Sequence, residues 1–313
     1  MARSEEIFSS GVLPANYVPS ESEDLNLLGK IAIQVIRDVV TKNPLSEFMK
    51  GRIENGETVE QAVIKLVESN DFDRTGANAL APDTAEKMAV RYFNDWSKKT
   101  FNTTVFVTEI QKYLLGEVSA ESIIEKIVGT LARSDTHELY QGIKDLLAWG
   151  STDGSNGEND TVITDVGTVE LKNGAIDYNG VLKKIKNTVD GMTFVGNSFN
   201  KAGIDIKSEL DNLMVVMPYT LYNDTDVDSL SGFFNLDKAE IRNRIIEVDT
   251  NDNKVYILDR NAVLIYTRLY QMLTQLNADG AFYNYYLHVD RMFAISPLFD
   301  SCFFTYSLGT QGE

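Results

Sequence analysis

The sequence has few of the residue types that carry out chemistry. Its 313 residues include two histidines and one cysteine, Cys302. A single cysteine cannot form an internal disulfide, and the apolar setting SPLFDSCFFTY favours a small buried hydrophobic residue over a reactive thiol. Glycine-rich phosphate-binding loops of either usual spacing are absent. These absences argue against a disulfide-bonded secreted scaffold and against most enzyme classes.

Long hydrophobic runs are missing as well. The runs Leu213–Met217 and Ala262–Tyr266 are far shorter than the roughly 20 residues that a membrane-spanning helix needs. The first residues, MARSEEIFSSGV, contain no apolar segment of a secretory signal. The apolar fraction of 43% is nevertheless enough to fill a core. We therefore expect a globular protein with no membrane association.

Positive charge is scarce. There are 46 acidic and 29 basic residues, which gives a formal net charge of −17. Proteins dedicated to binding nucleic acid gain affinity from clustered Lys and Arg, whereas Lys98-Lys99 and Lys183–Lys186 are short groups typical of a solvated surface. An acidic protein can lie close to nucleic acid without adhering to it, so the charge is compatible with a container.

The residues that could carry chemistry do not form a convincing set. His137 and His288 are far apart and are predicted to be a solvated helix residue and a strand side chain. Asp224, Asp226 and Asp228 alternate and could hold a metal, but a helix cap at Asp228 explains the pattern better. We therefore predict no catalytic residue, no cofactor-binding residue and no metal ligand.

A long excursion between residues 49 and 104 has apolar residues but no obvious core partner of its own. Its returning limb alternates like a strand, at Val90, Tyr92 and Trp96. Its outgoing limb has helical spacing and is predicted from periodicity to be a helix, with the apolar positions Val59, Ala62, Val63, Leu66 and Val67. An arm of this kind usually finds its partner on another subunit.

The remaining elements alternate between helices and strands. One amphipathic helix is predicted over 25–39, and three more are predicted to begin at caps Thr104, Ser119 and Asp135. A Gly-rich linker over 150–180 is predicted to contain a hairpin, 162–166 with 168–171. A helix over 181–189 and strands over 213–217, 245–248, 255–258 and 263–266 follow. This mixture predicts an α+β fold.

Taken in order, these segments resemble a known family. GRIENGETVEQAVIKLVESNDFD, KKTFNTT, GIKDLL, NLMVVMPYTLYNDTDVDSLSGFFNLDKAEIRNRIIEVD and VYILDRNAVLIY resemble the major capsid proteins of tailed double-stranded-DNA phages, particularly the short-tailed kind. The resemblance spans roughly residues 12 to 306. It rests on segment order and phrase-like stretches, since the family has no invariant catalytic motif.

The resemblance implies the tailed-phage major capsid fold and a division of the chain. Residues 1–43 would form an N-terminal arm with a helix, and 44–104 an extended loop. Residues 105–190 would form most of a peripheral domain, and 191–313 an axial domain plus a returning peripheral strand. Against the periodicity, the resemblance implies that the outgoing limb over 53–67 is largely extended. It also implies burial on a neighbouring subunit of Val59, Val63, Leu66, Tyr92 and Trp96.

The resemblance also implies a function. The chain would be a structural virion protein without enzymatic activity, assembled in the host cytoplasm as hexamers and pentamers into an icosahedral capsid. That shell would enclose phage double-stranded DNA without sequence-specific binding, with scaffolding, portal and decoration proteins as further partners. Two alternatives stay open at this point: a cellular encapsulating shell protein of the same fold, and an enzyme that uses the acidic residues at 224–228 on a small molecule.

Overall fold

The computed structural model describes residues 47–54, 56–67, 69, 86–106, 120–152, 162–225, 244–250 and 252–308, with side chains of the first helix described from residue 129 onward. The helix predicted over 25–39 and most of the loop between the two limbs of the excursion lie outside these residues. The described helices are α1 (Ala120–Gly150), α2 (Tyr178–Met192) and α3 (Tyr219–Asp224). The described strands are β1 (Met49–Arg52), β2 (Val59–Ile64), β3 (Met88–Phe93), β4 (Trp96–Phe106), β5 (Thr164–Val169), β6 (Leu213–Pro218), β7 (Ile245–Val248), β8 (Lys254–Asp259), β9 (Val263–Asn277), β10 (Phe282–Ile295) and β11 (Ser301–Tyr306).

The described residues fall into two compact units. The first unit takes the described residues up to Gly56 and those within 95–145 and 265–293. The second takes those within 57–94, 146–264 and from Ala294 onward. Each unit is therefore assembled from segments that are far apart in the sequence.

A four-stranded sheet in the order β1-β9-β10-β4 forms most of the first unit. Strand β1 runs parallel to β9, and β4 runs antiparallel to β10 from Trp96 opposite Met292 to Phe106 opposite Phe282. Helix α1 contributes a buried stripe to this unit that includes Leu131, Leu139 and Ile143. The spacing of these residues follows one face of an α-helix, as the hydrophobic period requires.

The structure shows that the predicted helix cap at Asp135 is wrong, because α1 continues through this position. Asp135 is 1% exposed and lies on the buried stripe, where its two carboxylate oxygens accept hydrogen bonds from the Arg291 guanidinium at 2.5 and 2.7 Å. Ser134 and Thr136 donate their hydroxyls to the carbonyls of Thr130 and Ala132, one turn earlier. The polar side chains of residues 134–136, which suggested the start of a new helix, therefore have hydrogen-bond partners while α1 continues through them.

The second unit is built on a five-stranded sheet in the order β5-β11-β8-β6-β7. Strand β6 is buried along its whole length, which agrees with the continuous apolar run LMVVM. Helix α2 packs on this sheet through side chains at helical spacing, namely Val181, Leu182, Ile185, Val189 and Met192. The predicted helix and the predicted strands of this region are confirmed, although β9 is much longer than its prediction.

Three further predictions are wrong in this structure. The outgoing limb is not a helix, because residues Val59–Ile64 form a strand that pairs antiparallel with β3. The hairpin predicted over 162–171 is a single strand, β5, that pairs parallel with β11. Thr104 does not cap a helix, since it lies within strand β4. The predicted strand in the returning limb is confirmed as β3.

The lone cysteine, Cys302, lies in the core of the second unit. Cys302 is fully buried on β11, and this burial raises the pKa of its thiol well above the ordinary value. The prediction of a small buried hydrophobic residue is therefore confirmed. None of the described helices has the length and hydropathy needed to cross a bilayer. Helices and sheets are both present in the described residues, so the predicted α+β class is confirmed.

Candidate subunit interface

Residues 57–94 are the part of the excursion that belongs to the second unit, and they contain a β-hairpin with two different faces. Strands β2 and β3 form a separate two-stranded sheet, in register from Val59 opposite Phe93 to Ile64 opposite Met88. Side chains alternate across a strand, so every second pair shares a face. We call the face that carries the pairs Glu60–Tyr92, Ala62–Val90 and Ile64–Met88 the free face, and the other the anchored face.

The free face is exposed and largely apolar. Ile64 is 75% exposed, Tyr92 66%, Met88 48% and Val90 37%. Exposed single hydrophobic residues are ordinary on protein surfaces, but a contiguous strip of them marks a binding surface. Leu66 and Val67, just beyond β2, are 64% and 74% exposed and extend the apolar character of this segment.

The anchored face turns toward the protein's own second unit. Val59 is only 8% exposed, and Val63, Ala89 and Phe93 are half-buried. Gln61 lies between them and donates its side-chain amide to the backbone carbonyl of Asn261 at 2.9 Å. This contact fixes the base of the hairpin, so the free face is presented outward rather than folded inward.

An ion pair joins the two limbs just beyond the strands. Lys65 lies 2.7 Å from Glu86, and the Lys65 backbone N–H donates to the Lys87 carbonyl at 2.9 Å. The hydrogen bond and the charge of Lys65 lower the pKa of the Glu86 carboxyl. Exposed ion pairs contribute little free energy, so this pair adds little to the stability of the hairpin and does not replace packing of its free face.

An isolated two-stranded hairpin is marginally stable in water and needs packing against another surface. The anchored face has such packing in the described residues, and the free face does not. An apolar face that is held outward by an anchored one has the geometry of a contact with a separate molecule. Burial of such side chains stabilises a contact by about 25 cal/mol per Å² of apolar area.

Not every residue predicted to contact another subunit lies on this face. Tyr92 and Leu66 are exposed as required, whereas Val59 is buried and Val63 half-buried on the anchored face. Trp96 begins strand β4 and is covered by the Arg268 guanidinium, whose carbon lies 4.4 Å from the ring centroid. Sequence reasoning missed Ile64, because the helical template left it off the apolar stripe of the outgoing limb. It also missed Met88, although this residue is in phase with Val90 and Tyr92 on the returning limb.

Comparison with known proteins identifies the family. The family model described as Phi29-like phage major capsid protein matches residues 19–305. The chain belongs to this family. Members of this family are named for a structural role in the phage capsid, so the prediction that the chain is not an enzyme is confirmed by family membership. Neither the cellular shell protein nor the acidic-residue enzyme gains support.

Relatives within the Phi29-like family are distant in sequence. The major capsid protein of Bacillus phage GA-1 is 23% identical over 293 residues, which cover 92% of this chain and 61% of the relative. That of Streptococcus phage Cp-1 is 23% identical over 300 residues, covering 90% of this chain and 81% of the relative. The chain thus spans 61% of the length of the GA-1 protein and 60% of that of the Bacillus phage PZA protein.

Solved structures agree with the Phi29-like assignment at the level of fold. The capsid structure of Staphylococcus phage Andhra matches with a TM-score of 0.64 at 13% identity, covering 85% of this chain and 84% of that chain. A structure of Microbacterium phage Oxtober96 matches with a TM-score of 0.51 at 13% identity, covering 84% and 90%. The predicted tailed-phage major capsid fold is therefore confirmed.

The residues considered for chemistry remain scattered in this Phi29-like protein. His137 is exposed on α1, whereas the His288 ring lies on β10, with Nδ1 2.9 Å from the Thr100 hydroxyl. Asp224 ends α3 and accepts a hydrogen bond from the Tyr178 hydroxyl at 2.9 Å. Asp226 and Asp228 lie outside the described residues.

The described residues also offer no metal-binding constellation. Within that part of the chain, no group of three or more His, Cys, Asp and Glu side chains is placed to hold an ion. The prediction of no catalytic, cofactor-binding or metal-ligating residue stays a prediction, because the aspartates that follow α3 are not described. The one arrangement of described residues that indicates a function is the free face of the hairpin.

Proposed function

We propose that this chain is the shell-forming protein of a phage virion and that the free face of its hairpin contacts a second copy of the chain. The single observation that carries the proposal is the exposed apolar strip of Ile64, Met88, Val90 and Tyr92. A hairpin anchored on one face and unpacked on the other is suited to a heterologous contact, in which different patches of two copies meet. Repeated around rotation axes, such contacts close into rings and shells.

The proposed division of the chain follows the same logic. Residues 44–104 form the extended loop, which contains the hairpin, and residues 1–43 form the N-terminal arm. Residues 105–190 contribute most of the peripheral domain, and 191–313 the axial domain with a returning peripheral strand. The ion pair between Arg291 of β10 and Asp135 of α1 supports the returning strand, because it joins a late segment to the proposed peripheral domain.

The proposed assembly is a set of hexamers and pentamers in an icosahedral shell, formed in the host cytoplasm. The shell encloses double-stranded phage DNA without sequence-specific contacts, consistent with the net charge of −17. Scaffolding, portal and decoration proteins are the further proposed partners. The chain spans about three fifths of the length of its Bacillus phage relatives. The assembly experiments should therefore use this chain and not a longer relative.

Electron microscopy of the purified protein, together with its mass in solution, tests the proposal. Closed polyhedral particles, or regular hexamers and pentamers, are the expected result. A monomer or dimer that persists alone and after co-expression with scaffolding protein would contradict it. Nuclease treatment of intact particles from infected cells then tests the cargo, since enclosed DNA is protected and DNA bound outside is not.

A further inference from the structure

A buried carboxylate fastens the segment that follows helix α2. Residues 193–212 leave the helix, turn back and return to strand β6, and we call them the α2–β6 excursion. Asp300 is 2% exposed and accepts hydrogen bonds from this excursion on both oxygens. The Ser208 hydroxyl donates to Oδ2 at 3.0 Å, and the Asn200 amide donates to Oδ1 at 3.4 Å.

The other hydrogen bonds that hold residues 196–206 are neutral, whereas the exposed end of the excursion carries an ion pair between Asp211 and Arg244. Gly196 and Ile206 exchange two backbone hydrogen bonds of 3.0 Å, and Ile204 N–H donates to the Asn200 side chain at 3.0 Å. Backbone bonds from Ala202 to Pro297 and from Ser301 to Phe199 tie the excursion to the segment that carries Asp300. These neutral bonds are independent of pH, so Asp300 is the buried ionisable group among the contacts that hold residues 196–208.

The carboxylate has acidic rather than basic surroundings. Among the residues that the structure describes, no Lys, Arg or His forms an ion pair with Asp300. Asp259, at the end of β8, is 3% exposed and its backbone N–H donates to the Asp300 carbonyl at 2.9 Å. The neighbouring titratable group is the Cys302 thiol, on which Lys184 and Asp165 also act.

A buried carboxylate without a cation favours its neutral form. Burial raises the pKa of Asp300 to about 6, with Asp259 adding to the rise and the bonds from Ser208 and Asn200 opposing it. If the excursion opens and water reaches the carboxyl group, its pKa returns toward the ordinary value of 3.8. Closing the excursion therefore takes up a proton mainly where the pH lies between the two values, from 3.8 to about 6.

We propose that Asp300 makes the closure of the α2–β6 excursion sensitive to pH, with closure favoured in mild acid. Closure has its full strength below pH 3.8 and weakens as the pH rises to about 6. The excursion carries Phe194 and Val195, which are 73% and 57% exposed. The attachment of residues 196–208, which follow this exposed apolar pair, is therefore coupled to proton concentration, independently of shell formation.

Hydrogen exchange on the unassembled full chain tests the proposal. The reporters are the amides of Gly196, Ile204 and Ser208, with exchange rates corrected for their intrinsic pH dependence. We expect the opening constant to rise about tenfold from pH 5 to pH 7, since the two pKa values differ by about two units. Amides of β8, which lies in the same unit, serve as the internal reference.

Two variants separate Asp300 from the other acids. Asp300→Asn should remove the pH dependence, and the matched variant Asp205→Asn should retain it, because Asp205 is exposed in the same excursion. A wild-type opening constant that does not change with pH would overturn the proposal, as would an Asp300→Asn protein with the wild-type slope. If Asp300→Asn does not fold, Ser208→Ala supplies the test, because loss of its hydroxyl donor should move the transition to higher pH.

Discussion

Truncation of Ile64 tests whether the free face is a contact between subunits. This side chain is 75% exposed in the subunit, so most of it is available for burial by a neighbour. Ile64→Ala removes the γ and δ carbons, and each buried carbon contributes about 0.8 kcal/mol. Scaled to the exposed fraction, the expected loss is about 2 kcal/mol for each hairpin contact.

The assay is the subunit concentration at which particles form. Each subunit donates one hairpin, so a loss of about 2 kcal/mol per contact raises this critical concentration about 30-fold. Light scattering and sedimentation over a dilution series measure it. The thermal unfolding of the unassembled subunit should change little, because substitutions of exposed residues usually alter stability by about 0.5 kcal/mol or less.

Val63→Ala is the matched control on the neighbouring residue. Val63 lies on the anchored face and is half-buried within its own unit. Its truncation should lower the melting temperature of the subunit and have a smaller effect on the critical concentration. An Ile64→Ala protein that assembles like the wild type would refute the intersubunit role. So would one whose subunit is destabilised as much as that of Val63→Ala.

Three further outcomes are expected from the described contacts. Asp135→Ala should destabilise the subunit by about 3–5 kcal/mol in urea unfolding, because it leaves the buried Arg291 without its carboxylate partner. Adding Arg291→Met to the Asp135→Ala protein should recover part of that loss. Trp96→Ala should lower the subunit's stability by about 1 kcal/mol through loss of the Arg268 contact, whereas Arg268→Lys retains part of it, as thermal melting would show. The Cys302 thiol should not react with an aromatic disulfide reagent until the chain unfolds, because it is buried and its pKa is raised.

Sequence reasoning succeeded where one period dominated a segment. The buried run of β6 and the apolar face of α2 were both predicted, because each matches a single template. The outgoing limb failed because apolar residues lie on both faces of β2, with Val59 and Val63 on one and Ala62 and Ile64 on the other. Two faces that each carry apolar residues erase the strand period and leave a spacing that imitates a helix.

The polar residues inside α1 could not be interpreted from sequence for a different reason. A Ser-Asp pair followed by Glu138 has the pattern of a capping box, yet Asp135 is bound by Arg291, which lies 156 positions away. Glu138 instead pairs with Lys99 on β4. Tertiary partners that are so distant in sequence leave no local signal, so a cap and a buried ion pair look alike.

The candidate interface was predicted in kind but not in detail. An excursion with apolar residues and no core partner indicated a contact with another subunit, and Tyr92 is exposed as that requires. Trp96 is partly covered by Arg268 within its own unit, so its contact with another subunit stays a prediction. Only the register of β2 on β3 shows that Ile64 and Met88 lie side by side on the free face.

The sheet order also determines when each part of the protein can form during synthesis. The four-stranded sheet is complete only when β10 has been made, and the five-stranded sheet only when β11, the last described strand, has been made. The β2–β3 hairpin pairs segments that are close in sequence and is synthesised long before, by an interval on the order of tens of seconds. Nascent chains on one messenger therefore display the apolar hairpin before the body that anchors it, and repulsion between strongly acidic chains counteracts premature association during that interval.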